Sequence, residues 1–71
     1  MITGDFERAI DAFAAEMKRK MRAKERQGYI GWDRPYLEEG LRRALHMHLD
    51  KGDPIDVANF AMMLWNLGAR T

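Results

Sequence analysis

The chain has 71 residues, enough for one domain whose folding buries only about 60% of the surface exposed by the unfolded chain. It contains no cysteine and no serine, which excludes disulfides, thiolate zinc sites and cysteine or serine nucleophiles. Twelve Lys and Arg against eleven Asp and Glu leave a formal charge of +1, so the balance as a whole does not point to a nucleic-acid binder.

The opening residues, Met1 to Asp5, carry neither a basic stretch nor an apolar run of secretory type, and no apolar run reaches the roughly 18 residues of a membrane span. The expected location is cytoplasmic, with no membrane partner. Phe6, Ile10, Phe13, Met17 and Met21 then recur at helical spacing and predict an amphipathic helix over 6–27. Asp5 is placed to cap it, and Gly28 to end it in the left-handed conformation. Lys18, Arg19, Lys20, Arg22, Lys24 and Arg26 gather half of the basic residues near its C-terminus, where the helix dipole favours cations.

Residues 29–35, Tyr-Ile-Gly-Trp-Asp-Arg-Pro, break the helical period and hold two aromatics, so this stretch is expected to fold back onto the helices. Asp33 reads as the cap, and Pro35 as the first turn, of a second helix over 35–50 with Leu37, Leu41, Ala44, Leu45 and Leu49 on its apolar face. Lys51-Gly52-Asp53-Pro54 stops that helix and starts a third over 54–67, with Val57, Phe60, Ala61, Leu64 and Leu67 on one side. The fold class is therefore all-α, a single helical domain over 1–71 made of one long helix and a helical hairpin.

Met62, Met63 and Trp65 extend the apolar surface of the third helix around most of its girth, so it needs neighbours on two sides. Two short helices of one chain are too little cover. A homodimer is expected, with the second and third helices meeting their copies in a bundle.

Few groups can carry chemistry. His46 and His48 lie two residues apart and point to different helix faces, which excludes a two-histidine metal site on one helix. In a hairpin turning at Gly52, His48 falls opposite Asp56 and Leu45 opposite Asn59. The His48–Asp56 pair reads first as a structural hydrogen bond, with a metal site or acid/base pair as the alternative. Asp53 and Asp56, at i and i+3, point the same way at a helix start, a position the dipole favours for carboxylates without any ligand. No catalytic residue is assigned.

The run Gly52-Asp53-Pro54-Ile55-Asp56-Val57-Ala58-Asn59-Phe60-Ala61-Met62-Met63-Leu64 resembles the third helix of MazG-like nucleotide pyrophosphohydrolases of phages and bacteria. The basic first helix and the glycine-tryptophan turn from Gly28 to Trp32 are similar to that group as well. In those enzymes an EExxE motif and an ExxD motif hold magnesium, and the second appears here as Asp53-x-x-Asp56, with Asp56 matching and Asp53 a shorter replacement. The first is not, because Glu38-Glu39-Gly40-Leu41-Arg42 ends in arginine. The resemblance implies a helical scaffold that has lost the hydrolase chemistry: a phage-type accessory protein, without cofactor, that binds a host protein or a nucleotide. Lys18, Arg22, Tyr29, Trp32, Tyr36, His48 and Asn59 are the candidate binding residues, with Asp53 and Asp56 as the metal candidates. One alternative is a minimal magnesium-dependent pyrophosphohydrolase using Glu38, Glu39, Asp53 and Asp56. The other is a small nucleic-acid binder gripping phosphates with the first helix.

Overall fold

The computed structural model describes residues 5–71, and their regular structure is entirely helical: α1 (Phe6–Arg26), a 3-10 turn (Pro35–Leu37), α2 (Glu38–Lys51) and α3 (Pro54–Asn66). The expected fold class is observed. Residues 1–4 of the opening stretch lie outside the described residues.

The helix ends follow from their capping residues. Asp5 accepts from the Arg8 amide at 3.2 Å, and α1 closes with Gly28 N–H donating to Glu25 at 2.9 Å and Tyr29 N–H to Lys24 at 3.1 Å, the paired bonds of a Schellman motif. Gly52 takes φ +77° at the end of α2. Asp53 then caps α3 by accepting from the amides of Ile55 and Asp56 at 3.0 and 3.3 Å.

The start of α2 departs from expectation. Asp33 is no cap, and Pro35 opens a 3-10 turn in place of an α-helix. A proline disfavours helical backbone in the residue before it, and Arg34 is extended at φ −78°, ψ 131°. The α-helix is thereby delayed to Glu38, beyond the reach of Asp33.

α3 is the central helix, with α2 packed on one side of it and α1 on the other, and α1 and α2 form no interface of their own. Leu41 and Leu45 of α2 meet Met63 and Leu64 of α3 in the buried core, and Met21, Trp32, Leu37, Val57 and Phe60 pack around it. α3 thus has a neighbour on each of two sides within its own chain, with Val57, Phe60, Ala61, Met62 and Leu67 half-buried. Trp65 is the exception, at 80% exposed.

Met47 and Leu49 of α2 are also exposed, at 61% and 53%, and α1 carries three further exposed apolar side chains along one face. That helix buries no residue, and its stripe emerges progressively from the body: Phe13 is 40% exposed, Ile10 64% and Phe6 89%. Length explains this. Twenty-one residues of α1 span about 31 Å and thirteen of α3 about 20 Å. The N-terminal half of α1 overhangs, and the radius of gyration is 12.9 Å where a compact chain of this length has ~11 Å. Among the described residues no helix is long and apolar enough to cross a membrane.

Candidate functional site

α1 and α3 run antiparallel, because moving back one turn along α1 from Lys20 to Met17 moves forward along α3 from Asp56 to Asn59. This alignment places Lys20 at the N-terminus of α3, where its ammonium bridges two carboxylates. It donates to Asp53, and to Asp56 Oδ1 at 3.1 Å. The Lys20 hydrogen bond holds the Asp53 carboxyl below the usual aspartate range, and the two carboxylates raise Lys20 above the usual lysine value, Asp53 contributing most. Lys20 interrupts the apolar stripe of α1 between Met17 and Met21, which is the signal in the sequence for a lysine turned inward.

One turn further along α3 lies Asn59, only 4% exposed. Its Nδ2 donates to the Met17 carbonyl at 3.3 Å. Since that carbonyl can only accept, the amide orientation is fixed and Oδ1 is the remaining group. Oδ1 is buried with no hydrogen-bond partner among the described residues. Nearly all buried polar side-chain atoms in folded proteins are paired, so this acceptor is an exception within the site.

Asn59 lines a cleft of about 300 Å³ between α1, the connection after it and α3. Its walls are mainly apolar and aromatic, from Tyr29, Trp32, Phe60 and Met63, with Lys20, Lys24 and Asp56 also lining it. Lys24 stands over the Tyr29 ring with Nζ 5.0 Å from the centroid. An apolar slot with a few convergent polar groups is the ordinary form of a small-ligand site, and this volume lies at the small end of the range.

Of the residues singled out from sequence, Tyr29, Trp32, Asp56 and Asn59 meet in the cleft, and Asp53 joins them through Lys20. Lys18 and Arg22 line a second, more open groove of about 400 Å³ on the other flank of α1, which shares Met21, Trp32 and Asn59 with the cleft. The connection folds back only in part: Trp32 is half-buried, but Tyr29 is 63% and Ile30 80% exposed. Tyr36, 81% exposed on the 3-10 turn, does not line either cavity. Sequence reading placed Lys20 and Lys24 only within the basic Lys18 to Arg26 run and Phe60 only on the apolar side of the third helix, without bringing them to one site.

His48 does not pair with Asp56. Its Nδ1 bonds the Ala44 carbonyl at 2.8 Å and its ring meets Phe60 with centroids 4.8 Å apart. Phe60 lies one turn beyond Asp56 on α3, so the hairpin register is shifted by a turn. Asp56 belongs instead to the α1 side, where it pairs with Lys20.

The four carboxylates of the pyrophosphohydrolase alternative are all engaged by cations of the chain itself. Lys20 holds Asp53 and Asp56, and Arg42 holds Glu38 at 2.7 Å and Glu39 at 2.8 Å while also donating to the Arg70 carbonyl at 3.0 Å. Among the described residues no three His, Asp or Glu side chains come together as a metal cage. Two carboxylates bridged by an ammonium are a poor fit for magnesium, which needs near-octahedral oxygen ligation. No protein-family model matches the chain, and no curated protein or solved structure matches it either.

Proposed function

We propose that this protein is a non-enzymatic binding protein that holds a nucleotide in the cleft between α1, the Gly28–Asp33 connection and α3. The buried, unpaired Oδ1 of Asn59 carries this reading. It can accept one hydrogen bond once side-chain movement in the cleft uncovers it, and every common nucleobase offers a ring or exocyclic N–H on its Watson–Crick edge. Trp32, Tyr29 and Phe60 give the slot the aromatic lining on which a flat base stacks, a contact of about 1–3 kcal/mol per base. Lys24 supplies positive charge for the phosphates. Lys20 offsets one of the two negative charges of Asp53 and Asp56, so Lys24 is the cation left for the phosphates.

The ion pairs of Asp53, Asp56, Glu38 and Glu39 favour binding without hydrolysis. Isothermal titration with a panel of nucleoside triphosphates, with and without magnesium, tests the reading when run beside a pyrophosphate-release assay. The expected result is saturable binding of at least one nucleotide, none of inorganic pyrophosphate alone, loss of binding in Asn59→Leu, and no turnover. Absence of binding across the panel would overturn the proposal. Pyrophosphate release that disappears in Asp56→Ala would establish the hydrolase instead.

A further inference from the structure

The overhanging half of α1 presents Phe6, Ile10 and Phe13 to solvent along one face, spaced over about 10 Å of helix. Contiguous apolar surface of this kind marks an interface more often than an ordinary exterior. What covers it is indicated by charge. The N-cap Asp5 and the first half of α1 together carry Asp5, Glu7, Asp11 and Glu16 against Arg8 alone, whereas the second half carries six Lys and Arg against Glu25 alone, with Arg19 paired to Glu16 and Lys20 to Asp53 and Asp56. Beside that basic half runs the open groove of about 400 Å³, its apolar lining given by Met17, Met21, Trp32 and Met62 and its charged lining by Lys18 and Arg22 against Glu25.

Projecting stripe and groove are therefore complementary, apolar to apolar and acidic to basic, and they sit at opposite ends of the same helix. We propose that two copies of the chain dimerise about a twofold axis with their α1 helices antiparallel, the Phe6–Ile10–Phe13 stripe of each seated in the Met17–Met21–Trp32–Met62 groove of the other. An isologous exchange of this type closes on itself and leaves neither feature exposed. Head-to-head pairing of the two stripes alone would bring the acidic halves together, which the charge distribution disfavours. Each copy also packs against the groove side of its partner's Trp32 and Asn59, so the dimer stiffens one wall of the cleft. The inference does not rest on the nucleotide reading, since it uses the opposite flank of α1.

The test is sedimentation velocity over a concentration series. Wild-type protein is expected to sediment as a dimer that weakens as salt is raised. Ile10→Asp, at a site already largely exposed in the single chain, is expected to raise the dimer dissociation constant by about 100-fold or more, because symmetry doubles the loss at each buried isoleucine. Its helical circular dichroism is expected to be unchanged. The pair Lys18→Glu with Arg22→Glu is expected to weaken the dimer, and adding Glu7→Lys with Asp11→Lys to restore it. A wild-type chain that stays single up to millimolar concentration would overturn the proposal, whether or not another protein binds at Ile10. A dimer indifferent to Ile10→Asp, or a reversed-charge pair that the compensating changes fail to rescue, would overturn it equally.

Discussion

Asn59→Leu separates a ligand-directed residue from a structural one, because the two roles predict opposite signs for its effect on stability. In the unliganded chain the side chain makes one hydrogen bond, to a Met17 carbonyl, and leaves Oδ1 buried without a partner. An amide-carbonyl bond contributes about 0.5–1.5 kcal/mol net, while an unpaired buried acceptor costs about 1–3 kcal/mol. Leucine removes both and adds apolar area, and the adjoining cleft takes the change in shape. The balance is a gain of about 1 kcal/mol, which in a domain of this size raises Tm by about 4–8 °C. Urea and thermal melts followed at 222 nm, at one fixed protein concentration because assembly shifts apparent stability, measure it. A variant more stable than wild type yet unable to bind nucleotide is the expected outcome. A loss of 2 kcal/mol or more would show that the amide is a core hydrogen-bonding group whose Oδ1 is satisfied internally, and the argument for a ligand there would fail.

Three further outcomes are expected. The pair formed by Lys20 and Asp53 makes stability fall at both extremes of pH: Asp53, lowered in the folded state, contributes above about pH 3.9 and loses that share as pH drops further, and Lys20, raised in the folded state, contributes below about pH 10.4 and loses its share above. Urea midpoints across the pH range should therefore flatten in Lys20→Met, and an unchanged profile would refute the bridge. Gly52→Ala should cost about 1–2 kcal/mol in urea unfolding, through backbone conformation alone, since φ is +77° and a Cβ there meets no atom within 4 Å. Trp65→Phe should leave stability within about 0.5 kcal/mol and leave the dimer intact, because Trp65 is 80% exposed and away from both α1 surfaces. Dissociation of the dimer by that change would return the interface to α3.

Much of the fold was legible in the sequence because its boundaries are written in capping residues. Asp5, Gly28 and Gly52-Asp53-Pro54 act within a few bonds of themselves, and each stops or starts a helix where its local chemistry dictates. The late start of α2 was also local, but it required the constraint that Pro35 places on Arg34 to be weighed above a capping role for Asp33.

What periodicity does not encode is which helix covers which face. The apolar girth of α3 was read correctly as a demand for two neighbours, yet their identity depends on the antiparallel return of α1, fixed by Lys20 and Met17 meeting Asp53, Asp56 and Asn59 across more than thirty residues of sequence. The same return leaves the first half of α1 exposed. His48 shows the limit from the other side: counting residues from Gly52 placed it opposite Asp56, but packing of its ring on Phe60 sets the register one turn along. Within the candidate site Trp32 and Asn59 were visible as isolated residue types, whereas the unpaired state of Oδ1 emerges only from the three-dimensional arrangement.

Trp32 offers the most direct measurement. In Trp65→Phe it is the single tryptophan, and it lines the cleft beside Asn59, so its fluorescence reports on occupancy of the slot without a label. Titrating that variant with nucleoside triphosphates is expected to give a saturable change in Trp32 emission that vanishes when Asn59→Leu is added. Emission that stays constant up to millimolar nucleotide, or that changes identically with Leu at position 59, would contradict the assignment of the cleft as a nucleotide site.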